Sequence, residues 1–182
     1  MLTVRKLKTE GNFKSVSINF EKDSLSDIFS NKNNKTLHET LQHRRYKNLN
    51  EVITNRYSKY LELPLGTFLH NCKKNSDDIY KLFLNRYGDL NYCIFKITDE
   101  GILDKRGIYA YSLNDDVVYI GRCRDSMRKR VNQGYGKIHP KNCYKDGQAT
   151  NCHINSLINN HRDTIKLWLW VLDDIDTIIS QE

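Results

Sequence analysis

Hydrophobic positions recur at every second residue over 14–20, where Val16, Ile18 and Phe20 alternate with polar neighbours. That is the two-residue period of a strand with one covered face. The polar run Asn-Lys-Asn-Asn-Lys at 31–35 breaks the pattern and predicts an exposed loop. Over 36–60 the chain is rich in helix formers, and Leu49, Val52, Ile53 and Tyr57 fall at the three- and four-residue spacing of an amphipathic helix. Pro64 ends this segment or begins the next. Ser76, Asp77 and Asp78 precede Ile79, Tyr80, Leu82 and Phe83, a capping side chain followed by acids at the positive end of a helix, with Gly88 as the stop.

The pattern sharpens further on. Residues 90–97 have the β-branched and aromatic content of a mostly buried strand, and 107–112 and 117–121 are two short strands joined by Leu113, Asn114, Asp115 and Asp116. The polar turn chemistry makes that pair a hairpin. Basic residues over 124–132 suit a helix, 134–150 a long loop, 151–160 a second helix, and 164–172 a strand carrying Trp168 and Trp170. Asp173 and Asp174 then cap a last helix from about Ile175. The order hairpin, helix, helix, strand, helix predicts an α/β (α+β) fold with a small, mainly antiparallel sheet flanked by helices, preceded by an N-terminal α/β extension. The expected division is an N-terminal region, 1–106, and a second domain, 107–182.

Charge narrows the choice of partner. The net charge is +7, and between residues 122 and 145 the chain places Arg122, Arg124, Arg128, Lys129, Arg130, Lys137, Lys141 and Lys145 against one acid, Asp125. So one-sided a stretch fits a phosphate backbone, because each neutralised phosphate releases condensed counterions. In the N-terminal region the cluster His43-Arg44-Arg45-Tyr46-Lys47 offers a second place to touch DNA, with aromatic rings between cations. No apolar run reaches the length of a membrane span, and the first residues alternate charged and apolar, unlike a secretory leader, so a cytoplasmic protein is expected. The five cysteines form no CxxC pair; Cys123, Cys143 and Cys152 with His139 or His153 match none of the paired-ligand spacings of structural zinc.

The hairpin carries Gly107-Ile108-Tyr109 on its first strand and Tyr119-Ile120-Gly121 on its second, followed by an Arg-rich segment. Both triplets together resemble the signature of the GIY-YIG nuclease family, in a restriction-enzyme-like or uncharacterised branch. The resemblance covers about 107–182 and implies a metal-dependent endonuclease hydrolysing DNA phosphodiester bonds. It assigns Tyr109 as general base or water-aligning phenolate, and Tyr119 as a positioning hydroxyl. Arg130 becomes the cation on the phosphate (Arg128 and Lys129 being alternative registers), and Tyr135 or His139 a further proton-transfer or phosphate contact. Glu182 becomes the carboxylate that holds Mg2+ or Mn2+. Arg122, Arg124, Arg128, Lys129, Lys137, Lys141 and Lys145 are the expected DNA contacts. Members of the family continue past this glutamate, whereas the chain stops at Glu182, so a domain shortened at its C-terminal end is expected, with a catalytically impaired DNA-binding remnant as the alternative.

Overall fold

A computed structural model describes residues 12–114 and 116–172. The protein is mixed α/β, with a four-stranded antiparallel sheet, a two-stranded sheet and helices. It forms two compact units: one takes the described residues of 1–23, 93–137 and 157–182, the other takes 24–92 and 138–156. These units cross the expected 1–106 and 107–182 division, since the first strand among the described residues joins the hairpin's sheet while 138–156 folds with the other unit.

The first unit is built on a sheet of order β1-β6-β4-β5, formed by β1 (Lys14–Val16), β4 (Gly107–Leu113), β5 (Asp116–Cys123) and β6 (Ile165–Val171). Strand β4 lies between β5 and β6 and is buried from Gly107 to Ser112, so both its faces are covered. Strands β5 and β6 alternate between more and less exposed positions, the period-two pattern of a sheet with one better covered face. One face carries Ile108 and Ala110, packed with Phe13, Trp168 and Trp170; the Phe13 and Trp170 rings are 5.9 Å apart. Trp168 Nε1 donates to Ser112 Oγ at 2.8 Å, which satisfies the indole on that face. The other face carries Tyr109 and Tyr111 beside Leu167 and Leu169 of β6.

The single strand expected over 14–20 is two strands that go to different sheets. Strand β1 ends at Val16, and β2 (Asn19–Leu25) pairs with β3 (Tyr92–Lys96). Phe20 packs on Phe95 with ring centroids 6.1 Å apart, and Lys96 pairs with Glu21 at 2.5 Å. Helix α4 (Glu100–Leu103), capped by Asp99 through the Gly101 N–H, connects β3 to β4.

In the second unit the helix expected over 36–60 breaks into α1 (Leu37–Leu41), a 3-10 turn at Lys47–Leu49, and α2 (Asn50–Tyr57). Thr36 and Glu39 close a capping box at the start of α1. Helix α3 (Leu65–Lys74) starts immediately after Pro64, whose ring fixes the approach to the first turn. The helix expected after Ser76 is a 3-10 turn, Asp78–Leu82, capped by Asp77. Residues 149–156 of helix α5 (Ala149–Asn160) also belong here. The core gathers Phe29, Leu37, Leu41, Ile53, Leu65, Phe68, Phe83 and Tyr144. Tyr46 is part of that core rather than a ring among surface cations: it is buried, stacks on Phe83 and donates to Asp146 at 2.6 Å.

Candidate active site

The hairpin register decides which side chains meet. Next to the turn, Leu113 faces Asp116 and Ser112 faces Val117. Had the ladder continued in that register, Tyr111 would face Val118 and Tyr109 would face Ile120. A one-residue offset of this kind sends every side chain of one strand to the other face. A β-bulge intervenes instead, so that Tyr111 faces Tyr119 and Tyr109 faces Gly121. Both triplets therefore present Tyr109, Tyr119 and Gly121 on one face of the sheet. The turn itself uses Asn114 at φ 47°, a left-handed conformation that asparagine tolerates.

Each glycine of the triplets has a steric reason. A Cβ on Gly121 would lie 2.3 Å from Tyr109 Oη and 2.4 Å from its Cζ, so the ring occupies the space a side chain would need. Gly107 has φ +149°, and a Cβ there would lie 2.0 Å from the carbonyl oxygen of Trp170 on the neighbouring strand. One glycine makes room for the tyrosine, and the other lets β4 approach β6.

The third wall is a π-helix, Arg128–Tyr135, where a continuous α-helix over 124–132 was expected. Its wider turn shows in the Gly136 N–H, which donates to Val131 O five residues back at 2.6 Å. In an α-helix, residues five apart point about 140° away from each other. The i→i+5 turn instead returns Tyr135 toward the face that carries Arg130. The Asn132 side chain clamps this helix to the segment after β3, accepting from Ile97 N at 2.8 Å and donating to Ile97 O at 3.0 Å. Phe95 N donates to Gly136 O at 3.0 Å beside it.

These supports hold a chain of phenols. The hydroxyls of Tyr109 and Tyr135 are 2.6 Å apart, and those of Tyr135 and Tyr119 are 3.4 Å apart. Tyr111 completes a four-ring cluster with centroid separations of 6.1 to 6.5 Å. Tyr109 and Tyr135 are buried and Tyr119 is half-buried, so Tyr119 is the outer end of the chain. The Tyr111 hydroxyl is buried with no hydrogen-bond partner, and its role in the cluster was not foreseen. Its spacing of two residues from Tyr109 on one strand was the available signal.

Electrostatics distinguishes the hydroxyls. Burial pushes the Tyr109 pKa well up, and proximity to Tyr135 adds to it. Burial also raises Tyr135; the hydrogen bond with Tyr109 lowers it, Tyr119 adds to the rise and the charge of Arg130 pulls back, leaving it pushed up to about 12. Either hydroxyl can donate in the bond between Tyr109 and Tyr135. Arg130 is solvent-facing, yet its charge acts on this cluster. Partial burial lowers its pKa, and Tyr109, Tyr135, Cys123 and Tyr119 outweigh that effect, so the net shift is upward. Of the three register alternatives, Arg130 is the one whose charge acts on the phenols. Arg128 pairs with Glu100 and Asp104, both at 3.2 Å, and Lys129 with Asp125 at 2.8 Å.

The remaining predicted residues are dispersed. Arg122 sits on β5 facing Ile108, while Arg124 and Lys137 are exposed in the same unit. Lys141, Lys145 and His139 belong to the other unit. His139 Nδ1 accepts from Lys141 N at 3.2 Å and so caps the 3-10 turn Pro140–Cys143. The Cys143 and Cys152 sulfurs are 4.0 Å apart in that unit, His153 stacks on Tyr87, and Cys123 lies in the first unit. Among the described residues no three His, Cys, Asp or Glu side chains form a group able to hold a metal ion. Glu182 and the last helix expected from Ile175 lie outside the described residues. No protein-family model, curated protein or solved structure matches this chain.

Proposed function

We propose that the first unit is a phosphodiester hydrolase acting on DNA, a nuclease of GIY-YIG type. The observation that carries this reading is the convergence, through one bulge and one π-helix, of the Tyr109, Tyr135 and Tyr119 hydroxyls beside Arg130. Hydrolysis needs a site that takes a proton from water while positive charge is held at the phosphate. Arg130 supplies a permanent cation with a planar fork suited to phosphate oxygens. Tyr119, at the outer end of the phenol chain, orients the attacking water. The Tyr109 and Tyr135 hydroxyls, 2.6 Å apart, form a path along which a proton can pass, and the charge of Arg130 eases ionisation of Tyr135. The pair titrates as a unit, so the base belongs to both residues rather than to Tyr109 alone. Mg2+ or Mn2+, when bound, would supply Lewis-acid stabilisation of the phosphate, with Glu182 as the carboxylate the resemblance assigns to it.

The alternative, a DNA-binding module without catalysis, has one observation in its favour. Tyr109 is 1 % exposed and its hydroxyl is already engaged by Tyr135, which leaves water no direct approach to it. End-labelled duplex DNA and duplex RNA, incubated with magnesium, manganese or EDTA, separate the two. The nuclease reading expects metal-dependent scission of DNA that Tyr109→Phe removes. Retardation without scission under every metal condition would establish the binding module instead.

A further inference from the structure

The second unit contains a small positively charged hollow that the nuclease chemistry does not use. It has a volume of about 100 Å³ and is lined by Lys32, Lys35 and Lys141 together with Thr40, His43 and Asp146. A water in the liquid occupies roughly 30 Å³, so the hollow takes a group of a few heavy atoms, such as a tetrahedral oxyanion, and is too small for a nucleobase with its sugar. The walls are ordered from within. Lys32 Nζ is held 4.8 Å from the centroid of the buried Tyr144 ring, and Tyr144 donates to Phe29 O at 2.8 Å. Asp146, the acid in the wall, already accepts the Tyr46 hydroxyl at 2.6 Å, and Glu39 nearby in sequence accepts the Thr36 N–H at 2.7 Å.

We propose that Lys32, Lys35 and Lys141 form a seat for a backbone phosphate of nucleic acid, with His43 at its rim. Three ammonium groups against one committed carboxylate leave the hollow net positive. Burial lowers the pKa of Lys32, the charge of Asp146 opposes that, and repulsion from Lys35 and from Lys141 each adds a smaller lowering. A bound phosphate relieves that repulsion. The ligand is a phosphate within a polymer rather than a free anion, because the positive surface continues past the hollow. Arg44, Arg45 and Lys47 follow His43 in the chain and are exposed, and Lys145 is exposed beside Asp146 in sequence. This seat rests on the polyanionic partner of the proposed function and is independent of hydrolysis.

The test is duplex DNA binding by fluorescence anisotropy in EDTA over a series of salt concentrations. It compares the full chain, Lys35→Ala/Lys141→Ala, Lys35→Arg/Lys141→Arg, and a control pair of exposed lysines in the same unit, Lys59→Ala/Lys74→Ala. Each lost phosphate contact lowers the slope of log K against log salt by about 0.9, so the alanine pair, which empties one seat, loses about 0.9. The arginine pair restores the slope and the control pair leaves it unchanged. An unchanged slope in the alanine pair, an equal loss in the control pair, or no DNA binding by the full chain overturns the seat. Inorganic phosphate displaces DNA no better than chloride at matched ionic strength; specific displacement by it would mean a free-anion site and would also overturn the assignment. Cleavage is recorded on the same proteins with metal added. Slope loss without cleavage in any protein keeps the seat and removes the nuclease, and cleavage with an unchanged slope does the reverse.

Discussion

Gly121→Ala isolates the steric claim at the centre of the site. Gly121 is absent from the positive-φ residues, so alanine brings no backbone strain there, only a methyl group. That methyl would lie 2.3 Å from Tyr109 Oη, 2.4 Å from Cζ and 2.9 Å from Cε2. The ring has little room to retreat, because it is buried and its hydroxyl is held 2.6 Å from Tyr135. Overpacking of this kind costs about 1–3 kcal/mol. In a chain of this size each kcal/mol corresponds to roughly 2–4 °C in Tm. The expected result is a lowered Tm by circular dichroism and loss of DNA cleavage, since moving Tyr109 breaks the phenol chain. A double-mutant cycle with Tyr109→Ala gives the cause. Once the ring is removed, Gly121→Ala is neutral or stabilising, with a coupling of about 1–3 kcal/mol. A Gly121→Ala protein as stable as the parent, or a full cost persisting in the Tyr109→Ala background, would refute the steric account.

Three further outcomes follow from the same geometry. Arg130→Ala lowers cleavage by about 10²- to 10³-fold, the usual cost of removing one charge-stabilising donor, whereas Arg128→Ala changes it by only a few fold; equal losses would show that the register of the π-helix is misassigned. Deleting the exposed Val118 removes the bulge while leaving Tyr119 opposite Tyr111, so cleavage is retained; loss of activity in a folded deletion protein would contradict the hairpin register. The Tyr135 pKa is raised from its ordinary 10.0 to about 12, so the unfolded chain gives up that proton first. Its stabilising contribution is whole below pH 10 and is lost as pH rises toward 12, at about 1.4 kcal/mol per pH unit. Urea unfolding across that window should be less steeply pH-dependent in Tyr135→Phe, and identical slopes would rule out a buried, protonated Tyr135.

Much of the site was legible because it is local. The triplets, the polar turn and the strand over 164–172 all depend on near neighbours in sequence, and their elements occur as β4, β5 and β6. The basic cluster was legible as charge but not as geometry. Which of Arg128, Lys129 and Arg130 acts on the phenols depends on Glu100 and Asp104, more than twenty residues away, which engage Arg128. The π-turn was invisible for a different reason. A helical period of 3.6 places Tyr135 off the Arg130 face, and the clamp on Ile97 that accompanies the wider turn is a tertiary contact. The split of 14–20 into two strands likewise depends on partners, β6 for one and β3 for the other, that lie far along the chain. Tyr46 read as a ring among surface cations because its basic neighbours are adjacent in sequence, while its Phe83 and Asp146 partners are not.

The central claim is that the phenol chain and Arg130 together hydrolyse a phosphodiester bond. Supercoiled-plasmid relaxation with magnesium or manganese tests it most directly, with the parent chain, Tyr109→Phe and Arg130→Ala compared at equal protein and with EDTA as the blank. The account predicts nicking by the parent that needs metal and that each substitution reduces by at least about 10²-fold. Nicking that survives both substitutions would place the chemistry elsewhere, and a parent protein that retards the plasmid without nicking it would contradict hydrolysis by this site.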